Sequence, residues 1–274
     1  NTYTLDFAET LIREEKLGKS GFTDVLCISL SSTDYIAHRF GPNSLEAEDT
    51  YLRLDKELEK FFLMLDAYAG KGNYLLFLTA DHGASAIPGF YQEHKMPGGN
   101  LKMNSVRLEL NKVLKTTFGQ DSLVPKIIDY QVYLDEARIR KASLDRDKVK
   151  VSVMSFFRDR PEVLMVFDYD HLAETIMQAS IKEKLINGYY ARRSGAIQVL
   201  LKPNYDDVDW SGTEHGTIYN YDTHIPLIFY GWHIPKGKTY RPVSMTDIAP
   251  TISALLQIQS PSGSIGKVLE EIVK

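Results

Sequence analysis

Cysteine is almost absent from this chain of 274 residues: Cys27 stands alone, which excludes an internal disulfide framework and leaves the redox compartment open. Long hydrophobic runs are missing as well. The longest apolar stretches, residues 25–30 and 74–78, fall far short of the ~20 residues that span a bilayer, so no membrane span is expected. Neither sign of charge dominates. The 32 Lys and Arg stand against 36 Asp and Glu, a net charge of -4, and the basic residues are scattered among acids, which argues against nucleic acid as a dedicated partner. With 43% hydrophobic and 25% charged residues, 18 Gly and 11 Pro, collagen-like and disordered classes are excluded. An initiator Met and a basic-then-apolar leader are both lacking in residues 1–9, so the sequence reads as a piece of a longer protein.

What is present is hydrophobic periodicity. Phe7, Leu11, Ile12 and Leu17 recur at helical spacing. Residues 25–30, which include Cys27, form a nearly continuous apolar run of the kind buried on both faces of a parallel sheet. After Pro42 come two candidate caps, Asn43 and Ser44, and then a long helical pattern through Leu45, Tyr51, Leu54, Leu58, Phe61, Phe62 and Leu65, stopped by Gly70 and Gly72. A second buried strand is expected over 74–79. Strand, long helix and strand in that order predict a parallel α/β sheet. From 103 to 203 the texture becomes mixed α+β, with helices around 106–114, 145–157 and 176–185 and strands at 129–134, 163–167 and 196–201. The expected organisation is therefore an α/β core over 1–102, an inserted α+β lobe over 103–203, and a return to the core over 204–274. The last segment includes a strand at 225–230 and a helix from Ile248 led by Thr246 and Asp247.

Three clusters follow predicted strands or sit in glycine-containing loops. Asp34 and His38 are four residues apart, close enough on one helical turn to reach a common ion. Asp81 and His82 stand at the carboxyl end of an apolar strand, where open α/β sheets collect ligands; both reach one ion if the chain turns there, as Gly83 permits. His215 lies beside Gly216 in a polar loop. Singly, each residue fits a cap, a loop start or a satisfied polar side chain. Together, two Asp and three His supply the N and O donors that a zinc-like divalent ion prefers. Asp168, Tyr169, Asp170 and His171 imitate such a cluster but end a strand of the inserted lobe, where a turn-forming role fits better. His94 fits a plain solvent loop better than a mobile loop near the site. His224 fits either a residue orienting a metal ligand or simple packing.

The segments 32–42 (Ser-Thr-Asp-Tyr-Ile-Ala-His-Arg-Phe-Gly-Pro), 79–83 (Thr-Ala-Asp-His-Gly) and 212–216 (Gly-Thr-Glu-His-Gly) resemble the type I phosphodiesterase and nucleotide pyrophosphatase branch of the alkaline phosphatase superfamily. They are most similar to bacterial phosphate-irrepressible alkaline phosphatases. Further matches lie at Pro88-Gly89-Phe90, at 219–226 and at 246–251. The resemblance implies an α/β fold with a three-layer alkaline-phosphatase-like core, a largely parallel sheet and an inserted α+β lobe. It also implies a zinc-dependent hydrolase of small-molecule phosphate esters, periplasmic or otherwise exported, working through a phosphothreonine intermediate. Two Zn2+ are implied for the complete enzyme: Asp34, His38 and His215 match the ligands of one, and Asp81 with His82 match part of the other. The family's threonine nucleophile, the aspartate completing the second set and the residues contacting phosphate lie upstream of the matching segments. The chain is thus expected to be a carboxyl-terminal portion that binds about one zinc and turns over little. A non-catalytic metal-binding domain is the alternative. If the chain did prove active, Thr79 and Ser85 beside Asp81 are the first nucleophiles to consider.

Overall fold

The computed structural model describes residues 1–208 and 211–273. Among them, strands run in the order β1 (Leu75–Thr79), β2 (Gly99–Asn100), β3 (Lys126–Ile128), β4 (Gln131–Tyr133), β5 (Val163–Asp168), β6 (Ile197–Leu201), β7 (Tyr205–Asp206) and β8 (Leu227–Gly231). The chain divides into two compact units, one made of residues 1–33, 49–81 and 226–274 and the other of residues 34–48 and 82–225.

In the first unit, the helix Thr2–Glu14 buries Leu5, Ala8 and Ile12 against Phe61 and Met64 of the helix Leu45–Ala69. That stripe differs by part of a turn from the one the sequence suggests, and Phe7 is 69% exposed. The long helix begins and ends where its sequence predicts. Ser44 rather than Asn43 caps it, its Oγ accepting from Ala47 N at 3.1 Å. At its end Gly70 takes φ +90°, a conformation that costs glycine little. Leu26, Ile28 and Leu30 pack on the two helices, whereas Val25 and Cys27 are exposed.

The residues 25–30 are therefore covered on one face and not on two, and they make no ladder among the described residues. The parallel pairing expected between them and 74–79 does not occur. β1 instead pairs antiparallel with β8, Phe77 opposite Phe229. Apolar continuity reports that a segment avoids water, but it carries no information about which strand lies beside it. Near the carboxyl end, Asp247 holds two backbone amides and a hydroxyl: its Oδ2 accepts from Ser244 N, its Oδ1 from Lys267 N, and its carbonyl from Thr251 Oγ1. The first of these bonds completes the capping box of the short turn Met245–Asp247, which leads into the helix Ile248–Leu255.

The second unit is built around an antiparallel sheet in the order β3-β4-β6-β5. The helices Met103–Phe118 and Arg146–Arg158 contribute Leu110, Leu114, Val149, Val153 and Phe157 to a core shared with Val132, Ile197 and Val199 of the sheet. Asp145 caps the second of these helices by accepting from Asp147 N and Lys148 N. The hairpin partner β3 and the short helices Pro88–Glu93 and Glu136–Lys141 have too few periodic residues to be read from sequence. β2 and β7 form a two-residue parallel pair that sets Asn100 opposite Asp206.

Candidate metal centre

The helix Ser32–Phe40 carries Asp34 and His38 one turn apart, so both side chains leave the same face. His38 Nε2 lies 3.4 Å from Asp34 Oδ1. On its other side, His38 Nδ1 is 2.7 Å from the Thr213 carbonyl oxygen. A carbonyl accepts only, so Nδ1 carries a proton, and Nε2 is the nitrogen turned toward Asp34. Thr213 N returns a bond to the His38 carbonyl at 3.2 Å, clamping helix to loop at two points. The same loop brings His215 to the site: one donor atom each from Asp34, His38 and His215 lies within 4.8 Å of the others.

His82 is arranged like His38. Its Nδ1 donates to the Gly83 carbonyl at 2.8 Å, and its Nε2 faces Asp34 Oδ1 at 3.8 Å. Its ring stacks on His215 with centroids 3.4 Å apart. Gly83 serves here through close approach and not through an unusual φ: a Cβ would fall 2.0 Å from the Tyr221 carbonyl oxygen, and Gly83 N donates to the Asp222 carbonyl at 2.8 Å. Asp81, the last residue of the first unit, is exposed.

The donor set fits a zinc-like ion. Ligand atoms bound tetrahedrally at ~2.0–2.2 Å sit roughly 3.3 Å from one another, close to the His38–Asp34 separation of 3.4 Å. Nε2 of His38 and of His82 both turn toward Asp34 Oδ1, so two imidazole nitrogens and a carboxylate oxygen converge where a cation could be shared. Backbone carbonyls holding Nδ1 of metal-ligating histidines also orient the ring and raise its basicity.

Buried polar residues support this cluster. Ser85, Asp206 and Thr213 are buried. Thr213 Oγ1 donates to the Ser85 carbonyl at 2.7 Å and lies 3.0 Å from Ser85 Oγ, which in turn donates to Asp206 Oδ2. Tyr130 OH donates to Asp206 Oδ1 at 3.2 Å. Burial pushes the Asp206 carboxyl up to about 6 against these hydrogen bonds. Asp222 is raised by the same cause, opposed by Thr217, whose N and Oγ1 donate to Oδ2; its Oδ1 is buried without a hydrogen-bond partner.

Asp168, Asp170 and His171 do not join the centre. Asp168 caps the turn Tyr169–His171 and, with Asp170, pairs with Lys150. His94 is exposed and stacked on Phe90, and His224 is exposed. Ser85, 1% exposed and hydrogen-bonded to Asp206, is not placed as a nucleophile, and Thr79 Oγ1 donates to the Pro226 carbonyl at 2.9 Å. Sequence reasoning gave Asp206 and Thr213 no role: Asp206 lies in none of the matching motifs, and Thr213, although inside the segment 212–216, is not of a type that marks a metal ligand.

A family model for the type I phosphodiesterase / nucleotide pyrophosphatase matches residues 3–217. The chain belongs to this family. Alkaline phosphatase PafA of Elizabethkingia meningoseptica is 46% identical over 274 residues, all of this chain and 50% of the relative. Alkaline phosphatase PhoV of Synechococcus elongatus is 48% identical over 100% of the chain and 49% of its own length. The chain thus spans about half the length of the curated relatives it matches. The crystal structure of wild type alkaline phosphatase PafA superposes with a TM-score of 0.97 at 45% identity, covering 100% of this chain and 52% of that one. Murine ectonucleotide pyrophosphatase / phosphodiesterase 5, 15% identical, shares the fold at a TM-score of 0.64 over 95% of this chain and 61% of its own. The fold of this family member is alkaline-phosphatase-like, with helices and sheets mixed. Among its described residues no helix is long and apolar enough to cross a membrane.

Proposed function

We propose that this chain is the carboxyl-terminal portion of an exported, zinc-dependent phosphate ester hydrolase acting through a phosphothreonine intermediate, with the threonine on a segment outside this sequence. The observation that carries the reading is the convergence of Asp34, His38 and His215 to within 4.8 Å in a member of the type I phosphodiesterase family. Asp34, His38 and His215 hold one ion; Asp81 and His82 contribute part of a second set, which binds weakly until completed. Zinc supplies Lewis-acid charge that stabilises the oxyanions of phosphoryl transfer. The residues of this chain prepare for it: the Thr213 and Gly83 carbonyls keep Nδ1 of His38 and His82 protonated, and Asp34 sets a negative charge between their Nε2 atoms. Residues 103–203 act as a lobe inserted between core segments 1–102 and 204–274. Small phosphate esters, monoester or diester, are the substrate class.

Turnover of p-nitrophenyl phosphate and its bis ester tests the proposal. The 274-residue chain should be nearly inactive, since loss of a nucleophile costs orders of magnitude. A longer polypeptide including the upstream segment should hydrolyse one of the two esters in a zinc-dependent manner. Robust zinc-dependent turnover by the isolated chain would overturn the division of labour. An inert longer polypeptide, with its metal content unmoved by Asp81→Ala and His215→Ala, would favour a non-catalytic domain.

A further inference from the structure

Asp206 is a carboxylate with 2% of its surface exposed and two hydroxyls as its side-chain partners, Ser85 Oγ on Oδ2 and Tyr130 OH on Oδ1. Among the described residues it makes no ion pair. Burying a charge this way is unfavourable unless the surrounding structure over-determines it, and the hydrogen bonds it makes are directional. An ionised Asp206 only accepts, so Ser85 Oγ must spend its single proton on it. Ser85 Oγ is then an acceptor toward Thr213 Oγ1, 3.0 Å away, while the Ser85 carbonyl takes the same hydroxyl at 2.7 Å. Asp206 thus holds the Ser85 side chain, and the Ser85 carbonyl holds the Thr213 hydroxyl. The far end of this path is the Thr213 carbonyl, which accepts from His38 Nδ1 at 2.7 Å.

We propose that Asp206 is a positioning residue of the metal centre: through Ser85 and Thr213 it aims the Thr213 carbonyl at His38 Nδ1 and so holds the proton on that nitrogen and turns Nε2 toward Asp34. The inference rests on the metal reading given above for its purpose, but the tautomer itself is a property of the metal-free chain. Tyr130 offers an internal control, because its hydroxyl binds the other oxygen of Asp206 and lies outside the path to His38. Asp206→Asn replaces one acceptor by a donor and weakens the hold on Ser85 Oγ; Ser85→Ala removes that hold and leaves the Thr213 hydroxyl only the backbone carbonyl of residue 85.

The test is a long-range nitrogen–proton spectrum of the histidine side chains in the zinc-free 274-residue chain, paired with zinc affinity by competition with a chromophoric chelator. Wild type should show His38 protonated at Nδ1 alone. In Asp206→Asn and Ser85→Ala, His38 should become a mixture of tautomers and zinc affinity should fall by roughly 10-fold or more, the range seen when a partner of a metal ligand is removed. Tyr130→Phe should leave both readouts within twofold of wild type. If Asp206→Asn does not fold, Ser85→Ala carries the test. An unchanged His38 tautomer in a folded Ser85→Ala chain overturns the proposal, as does an equal effect from Tyr130→Phe, which would mark general loosening. Absence of zinc binding by wild type, with the tautomer effects intact, would instead defeat the metal reading and leave the positioning role standing.

Discussion

His82 and His215 lie face to face, their ring centroids 3.4 Å apart and their planes 13° from parallel. Two imidazoles so close shield each other from water and are held in one orientation, which prepares donor atoms before an ion arrives. His38 leans on the same ring from the other direction, 5.1 Å from His215 and tilted by 52°. His215 is thus the shared element of the centre.

The first consequence concerns metal content. Purified chain dialysed against trace zinc should retain about one equivalent, through the three protein ligands of an open site. His38→Ala and His215→Ala should each lose most of it, and Asp168→Asn should lose none. Elemental analysis decides the matter, and equal zinc in His38→Ala would sink the assignment.

Gly83→Ala should damage the site without touching a donor atom. The added Cβ would meet the Tyr221 carbonyl at 2.0 Å, so backbone must move, at a cost of ~1–3 kcal/mol of stability. The displaced Gly83 carbonyl is the partner of His82 Nδ1. Urea unfolding should show the loss of stability, and an unaltered midpoint would contradict the close approach.

Asp206 makes a prediction about pH. Its folded value, pushed by burial to about 6, lies above the ordinary ~3.9 of an unfolded Asp, a difference worth about 2–3 kcal/mol. The folded state holds the proton more tightly, so this group favours folding below pH ~4 and loses that contribution as pH rises through 6. Asn does not titrate. Between pH 4 and 7, the stability of Asp206→Asn relative to wild type should therefore improve by about 2–3 kcal/mol in chemical denaturation. A flat difference would refute the raised value.

A fourth expectation concerns the second unit. Lys150, 2% exposed, sits 3.1 Å from Asp147, 3.1 Å from Asp168 and 2.9 Å from Asp170. Burial works against ionising Asp168, yet hydrogen bonds from Lys150 and His171 hold its carboxyl below the usual range. Lys150→Met leaves that buried carboxylate without its cation and should cost about 3–5 kcal/mol. Adding Asp168→Asn should recover much of the loss. Because the Asp168 value is depressed, wild type holds this stabilisation above the unfolded pKa and loses it as pH falls through the folded one. The cost of Lys150→Met should accordingly shrink in acid.

The parts of this protein that its sequence determined are those in which the physics is local. The helix Leu45–Ala69 was legible because its apolar stripe, its Ser44 cap and its Gly70 stop lie within one stretch of chain. The pairing of Asp34 with His38 was legible because residues four apart share a helix face wherever that helix is placed. Residue type and motif marked Asp81, His82 and His215 as candidate ligands, and the folded chain sets the His82 and His215 rings together. Tertiary structure decided what no short stretch contains. Residues 25–30 read as a strand buried on both faces, yet whether an extended segment joins a ladder depends on its neighbours, and β1 found β8 in the opposite direction. His38 owes its tautomer to a carbonyl 175 residues away, and Ser85 gives its proton to an aspartate 121 residues away. Hydrogen-bond direction and burial are properties of the assembled chain, so the residues that only position others, Thr213 and Asp206 foremost, become visible only once it has folded.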